Sequence, residues 1–497
     1  MATSKTLIQP LDRVAIAMML LLSLLIGFMI LKGDVVSASV REFSWQNRQI
    51  GADDIAFSLN FSRPMDVESV EENLRIEPPL AGKISWAGRR MVYTLMTPAP
   101  YGTNYQVRLQ DARDRFTIQD GKNSLIQPFV GNFRSRDRVI IYIGADVENQ
   151  GQLVLYNLTQ EKKNILTPKD LIVMDFKPFP DGEKIVFSAR TKNNQDLLSA
   201  QLYTVSTGIS AQPETPAKPP GRIDLLLDNK QYQNLKFDLS PDGKTIVVQR
   251  GNKNNPSDFG LWFMPSTSNT RQRPTPQPLK TEPGGDFMIT PDSQAVAVAQ
   301  GQGAAILPIQ NDASKPLDYL PQFGLVRSFS KDGSQAAMVK FNTDYTRDLF
   351  LVTNQGIQKP LLKTTGSIHN CQFDPASPTL YCLLTQLVSD EEYIEQPYVV
   401  AIDLTTGGKK PLLLLPTEQR NVQMSLAPDG LALLFDQVTP QTNPMPLSAN
   451  VLKTQDGEAI ATSSLWLMPL LPIDKTSQTT IKPEKLPLVG FHPRWLP

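Results

Sequence analysis

The 497-residue sequence predicts an all-β protein: a seven-bladed β-propeller whose C-terminal strand closes its first blade, behind a small β-sandwich and one transmembrane helix. Three observations predict it. A strand-rich repeat recurs seven times between residues 139 and 497, and strand repeats of this size build propellers or solenoids. Ahead of it, residues 55–61 alternate apolar and polar, the pattern of a strand with one buried face. Further ahead, residues 14–31 carry no charge at all. The 41 prolines and 29 glycines suit many short strands joined by tight turns, with little helix.

The uncharged run begins at Val14 and ends at Leu31, 18 residues that include Met18, Leu21, Leu24, Ile26 and Phe28. As a helix it rises roughly 27 Å, close to the hydrocarbon thickness of a bilayer. Lys5, Arg13 and the amino terminus outnumber Asp12 on its leading side, and positive flanks stay in the cytoplasm. Residues 1–13 therefore read as a cytoplasmic tail, 14–32 as an anchor in a bacterial inner membrane and 33–48 as a linker, with the bulk periplasmic. The competing reading is a cleaved signal peptide, with small residues at Val36-Ser37-Ala38. Signal peptides have apolar cores of about 7 to 15 residues, which favours an uncleaved anchor. The expected partners at this end are lipids.

From residue 49 to 135 a second pattern holds. Ile55, Phe57, Leu59 and Phe61 form an alternating strand, and the runs at Val70, Leu74 and Ile76, at Trp86, at Val92 and at Tyr105 follow between Pro and Gly clusters. Short strands so spaced predict a small sandwich. Phe61-Ser62-Arg63-Pro64-Met65-Asp66, Trp86-Ala87-Gly88 and Tyr101-Gly102-Thr103-Asn104-Tyr105 resemble the bacterial Ig-like domains typified by S-layer proteins. The resemblance implies a spacer or adhesion module without chemistry.

The repeat over 139–497 has two marks. The first is a Pro-Asp-Gly-like turn followed by a strand: Phe179-Pro180-Asp181-Gly182, Ser240-Pro241-Asp242-Gly243, Thr290-Pro291-Asp292-Ser293, Ser330-Lys331-Asp332-Gly333, Asp374-Pro375-Ala376-Ser377 and Ala427-Pro428-Asp429-Gly430. Proline sets the first corner of such a turn and glycine takes the positive φ that closes it. The second mark is a short apolar strand about twenty residues on, as at Leu202-Tyr203-Thr204-Val205 and Leu465-Trp466-Leu467-Met468, and it occurs seven times. Six turns against seven such strands leave one first strand missing, and Gly490-Phe491-His492-Pro493-Arg494-Trp495 supplies it from the far end. Pairing of that tail with the strand at Val139 removes the open edges that invite aggregation.

These repeats resemble the TolB-type propellers and related Pro-Asp-type WD-like (PD40-type) repeats. The resemblance implies a propeller associated with envelope protein complexes. The amino-terminal part departs from the TolB pattern, which puts transfer of particular partners in question. Asp181, Asp242, Asp292, Asp332 and Asp429 read as hairpin corners rather than as a ring of ligands.

Little points to catalysis. There are two histidines: His369 leads into a first strand, and His492 takes the corner position of Ser240 and Ser330. No Gly-x-Ser-x-Gly elbow, paired-histidine metal motif, Cys-x-x-Cys or phosphate-binding glycine loop is present, so no enzyme, cofactor or metal is expected. A carboxylate-only hydrolase leaves no such trace and stays open, as does a cell-wall or carbohydrate binder. The 49 basic and 49 acidic side chains cancel, which argues against nucleic acid.

Two further expectations concern surfaces and thiols. Cys371 and Cys382 face each other across the predicted hairpin at 375–378, either as a disulfide or as two small buried side chains. The loops between second and third strands offer a partner rim, basic at Arg190, Lys192, Asn193, Asn194, Arg250 and Lys253 and acidic at Asp390, Glu391, Glu392 and Glu395. The function expected is that of a non-catalytic scaffold or binding protein acting in protein–protein interaction in the cell envelope.

Overall fold

The computed structural model describes residues 10–32, 37–115, 125–194, 196–210, 216–267, 275–279, 284–309, 318–389, 393–441, 452–454, 457–470 and 482–497. The helix Pro10–Lys32 covers the uncharged run, with side chains described from Arg13 to Phe28 and Leu20 and Leu24 exposed. Among the described residues, no helix is long and apolar enough to cross a membrane.

Two four-stranded sheets follow and enclose one core. One contains Val40–Phe43, Ala56–Phe61, Gly82–Ala87 and Arg90–Leu95; the other contains Gln49–Ile50, Leu74–Glu77, Asn104–Leu109 and Phe129–Ser135. Alternation sends Phe57, Leu59 and Phe61 inward, where Phe43, Trp45 and Phe133 meet them. The Trp45 ring stands 5.0 Å from Phe133 and 5.3 Å from Phe57. Here the sequence reading is corrected: residues 40–48 are not linker but part of the sandwich, because burying Phe43 and Trp45 removes two large aromatic surfaces from water. The run at Val70 is a short helix, Val67–Asn73, which turns Ser69 and Val70 inward before the strand Leu74–Glu77 begins.

Among the described residues from Val139 onward, the chain forms seven four-stranded antiparallel sheets. Six are local meanders. The remaining sheet takes three strands from 139–165 and its fourth, Gly490–Trp495, from the other end of the chain, paired antiparallel with Val139–Gly144. Apolar clusters join each sheet to the next, and the seventh to the first: Ile140, Tyr142 and Val154 pack on Leu434, Leu465 and Leu488. The seventh sheet thus packs back on the first. First strands of successive sheets contact one another between the third and fourth, fifth and sixth, sixth and seventh, and seventh and first sheets. A contact of His492 with Asp175 links the first to the second, and a salt bridge of Lys177 with Asp238 the second to the third. The first strands are Gly490–Trp495, Leu171–Pro178, Tyr232–Leu239, Phe287–Ile289, Leu325–Phe329, Ile368–Phe373 and Met424–Leu426.

The corner aspartates serve their own turns. Asp242 accepts from Lys244 N at 3.0 Å and Ser240 Oγ at 2.6 Å, and Asp332 accepts from Ser334 N at 3.1 Å and Ser330 Oγ at 2.6 Å. Gly182, Gly243, Gly333 and Gly430 follow at φ between 71° and 74°. The fourth sheet puts Ser293 there at 62°.

Candidate functional site

Charge is concentrated on the first strands of the second and third sheets and their neighbours. Asp175 and Lys177 flank buried Phe176 in the second sheet, and Lys236 and Asp238 flank buried Phe237 in the third. Period-2 alternation sends the phenylalanines into the cores and the charges to the other face. Lys177 pairs with Asp238, and Lys236 with Asp286. Arg327 Nη1 also approaches Asp286, at 3.7 Å. Burial, reinforced by the charge of Lys177, lowers the Lys236 ammonium to about 8.

At the seam, Asp436 is 1% exposed and accepts from Gln423 N at 2.6 Å and His492 N at 2.7 Å. Burial raises its carboxyl to about 7 despite those bonds. His492 is also buried, and loss of hydration lowers it to about 4, so its imidazole is neutral at pH 7. Its Nε2 accepts from Arg494 Nε at 3.3 Å and stands 3.4 Å from Asp175 Oδ1.

The corner assignment for His492 is corrected. Leu496 N donates to Val139 O as Ser240 N donates to Thr245 O, so Leu496 holds the corner. His492 therefore lies four residues earlier, at the level of Lys236. A register irregularity between Phe491 and Arg494 had hidden the offset. His369 lies exposed within the strand Ile368–Phe373.

The sandwich rests on the face that carries the Pro-Asp-Gly hairpins. Tyr101 N donates to Asp429 Oδ2 at 2.9 Å, Arg136 Nη1 donates to Pro497 O at 2.9 Å, and Lys331 pairs with Asp53. Asp429 thus has a second task besides accepting from Leu431 N. Tyr101 is buried at the contact and its phenol is pushed up to about 12 by that burial. Between the two units lies a cavity of about 680 Å³, bounded by Asp53, Tyr101 and Arg136 on one side and by Phe329, Gln372 and Trp495 on the other. Its size suits a small molecule or a few residues of a peptide.

The rim expected on the opposite face is redrawn. Arg190 and Arg250 are only 5% and 7% exposed. Arg190 donates to Asn194 O. Arg250 stacks 4.3 Å from the Tyr232 ring centre and 5.2 Å from that of Trp262, and its Nε donates to Asn234. A guanidinium covers aromatic faces in this way, so Arg250 is held in the packing, and Arg190 is buried against its own loop. Lys192 is half-buried, whereas Asn193, Asn194 and Lys253 are exposed. Glu395 is half-buried and accepts from Thr385 Oγ1. Asp390, Glu391 and Glu392 lie outside the described residues. Cys371 and Cys382 are paired in register and joined by a disulfide, with Cα atoms 4.2 Å apart.

Sequence reasoning missed the charges on the first strands. The signal was present as the mirrored triplets Asp175-Phe176-Lys177 and Lys236-Phe237-Asp238, each just ahead of a turn.

No protein-family model and no curated protein matches the chain. Among solved structures it is similar to TolB from Acinetobacter baumannii, at 15% identity and a TM-score of 0.38 over 68% of this chain and 79% of that one. It is also similar to a periplasmic gluconolactonase from Pseudomonas aeruginosa, at 12% identity and a TM-score of 0.42 over 73% and 99%. An oligogalacturonate lyase from Vibrio parahaemolyticus aligns at 10% identity and 0.42 over 65% and 84%.

Proposed function

We propose that the protein is a non-catalytic binding or scaffold protein of the cell envelope that captures a partner protein in the cleft between its sandwich and its ring. In this reading the ring is a seven-bladed β-propeller, the sandwich an Ig-like module, and residues 14–31 a single membrane anchor with the amino terminus cytoplasmic. The observation that carries it is the composite cavity, walled by both units and held by contacts at Asp429, Pro497 and Lys331. A surface assembled from two modules offers a partner shape and charge that neither has alone. The disulfide suits an oxidising compartment, and the uncharged run has the length of a bilayer core.

Against a hydrolase stands the engagement of the acids: in the cavity wall Asp53 pairs with Lys331, and Asp54, Asp332 and Asp374 accept from Gly51 N, Ser330 Oγ and Ala376 N in their own turns. Asp238 and Asp286 are engaged by lysines, and Asp436 is sealed in the seam. A glycosidase needs two carboxyl groups facing its substrate.

The test is site-specific photo-cross-linking in intact membranes, with the cross-linker at Ser377 in the cavity wall or at Lys253 on the opposite face. A discrete protein adduct from position 377 and none from 253 is expected. Adducts confined to position 253 overturn the cleft as the binding surface.

A further inference from the structure

Each sheet of the sandwich ends in two edge strands, and three of the four are shielded. Val40–Phe43 carries exposed Arg41 and Glu42 and a register irregularity between Val40 and Glu42. Gln49–Ile50 has two residues. Leu74–Glu77 has four, with Arg75 and Glu77 exposed and Pro78-Pro79 following. Charges, bulges, prolines and shortness are the devices that keep an edge from pairing further. Gly82–Ala87 has one of them, the charge of Lys83: the strand is six residues long, free of proline and regular in register against Arg90–Leu95.

The backbone of that strand has groups to spare. Met96 N donates to Ala81 O at 2.9 Å, one step beyond the pairing of Gly82 with Leu95. Bonded and unbonded residues alternate along an antiparallel pair, so Lys83, Ser85 and Ala87 point their N–H and C=O groups at Arg90–Leu95. Gly82, Ile84 and Trp86 point theirs outward, and among the described residues no strand pairs there. Donors and acceptors repeating at every second residue match an extended chain laid alongside.

A cavity opens at the same edge. It measures about 490 Å³ and is lined by Leu74 and Ile76 of one edge strand, Gly82 and Ile84 of the other, and Leu80 and Tyr93. That volume lies in the range of ligand pockets. Along Gly82–Ala87, half-buried residues alternate with exposed Lys83, Ser85 and Ala87. An added strand continues this alternation, with apolar side chains over the cavity and polar ones outside. Lys83 stands opposite neutral Thr94, so an acid on its free side complements its charge. A second copy of the same strand is a poor occupant, because its Ile84 and Trp86 are already packed on the core of their own sandwich.

We propose that the edge Gly82–Ala87 accepts an extended segment of another protein as an added strand, whose alternate apolar side chains enter the cavity between Ile76, Ile84 and Tyr93. This surface shares no lining residue with the cleft beneath the sandwich, so strand addition here and partner capture there stand or fall separately.

The experiment is selection of displayed random peptides of about ten residues, the upper length of ordinary strands, against the full chain in detergent, followed by hydrogen exchange with the strongest binder. Enriched sequences are expected to alternate apolar and polar residues, with an acid at an outward position. The bound peptide should slow exchange at the Gly82, Ile84 and Trp86 amides roughly tenfold or more and leave Gly51 to Asp54 unchanged. N-methylation of every second peptide amide should weaken binding roughly tenfold, while methylation of the intervening amides leaves it intact. That comparison needs no variant of the chain to fold. Failure to enrich a binder, binding without protection at those three amides, or a methylation pattern lacking period two overturns the proposal. If the three amides are already slow in the free chain and quicken on dilution, a second copy holds the edge and the proposal also fails.

Discussion

His492 sits at φ 54°, buried beside Asp175, Lys177 and Arg494, and it titrates far below a free imidazole. Between its folded value of about 4 and the ordinary 6.5, the unfolded chain binds the proton and the fold does not. Stability from this residue is therefore complete above pH 6.5 and is lost as pH falls towards 4, by roughly 3 kcal/mol. Asp436 works in the opposite sense: its raised carboxyl favours the fold at low pH and loses that benefit as pH rises through about 7. A wild-type melting curve mixes the two, so the comparison must isolate His492. His492→Asn keeps a residue that tolerates positive φ. Its melting temperature should approach or overtake that of the parent as pH drops from 7 to 4, and a gap independent of pH would contradict the assignment. The sequence showed that His492 lay near a turn, but its level was hidden by the irregularity beside Pro493. For Arg250, too, a charged side chain near a loop reads as exposed until the rings of Tyr232 and Trp262 are known to lie over it.

The Pro-Asp-Gly hairpin is the most legible element because its determinants are local. Proline, a carboxylate acceptor and a positive-φ glycine lie within four residues, so no distant contact is needed to specify the turn. The turns also pack on one another: a Cβ at Gly243 would lie 3.0 Å from Pro180 of the neighbouring hairpin, at a φ of 71°. Gly243→Ala should therefore destabilise the chain by about 1–2 kcal/mol, read as a lower denaturant midpoint with unchanged slope. The cysteine hairpin was legible in register for the same reason. The helix Val67–Asn73 was not, since its seven residues offer two apolar positions, Val67 and Val70, too few to establish a period.

The whole molecule depends on the seam. Ten residues from 488 to 497 supply Gly490–Trp495 to the first sheet, place Trp495 in the core between first and seventh sheets, and offer Pro497 O to Arg136 of the sandwich. Deleting them should expose the edge of Val139–Gly144 and convert a monodisperse species into aggregates, as read by light scattering. A truncated chain that stays monodisperse and melts like the parent would refute the seam's role. The seven repeats, the tail that completes the first sheet and the sandwich strands follow from turn chemistry and period-2 alternation, which act over a few residues. The resting place of the sandwich, the cavity beneath it, the level of His492 and the gathering of Lys236, Asp286 and Arg327 depend on distances between segments tens to hundreds of residues apart. Such distances are set when the sheets pack on one another, and no local pattern encodes them.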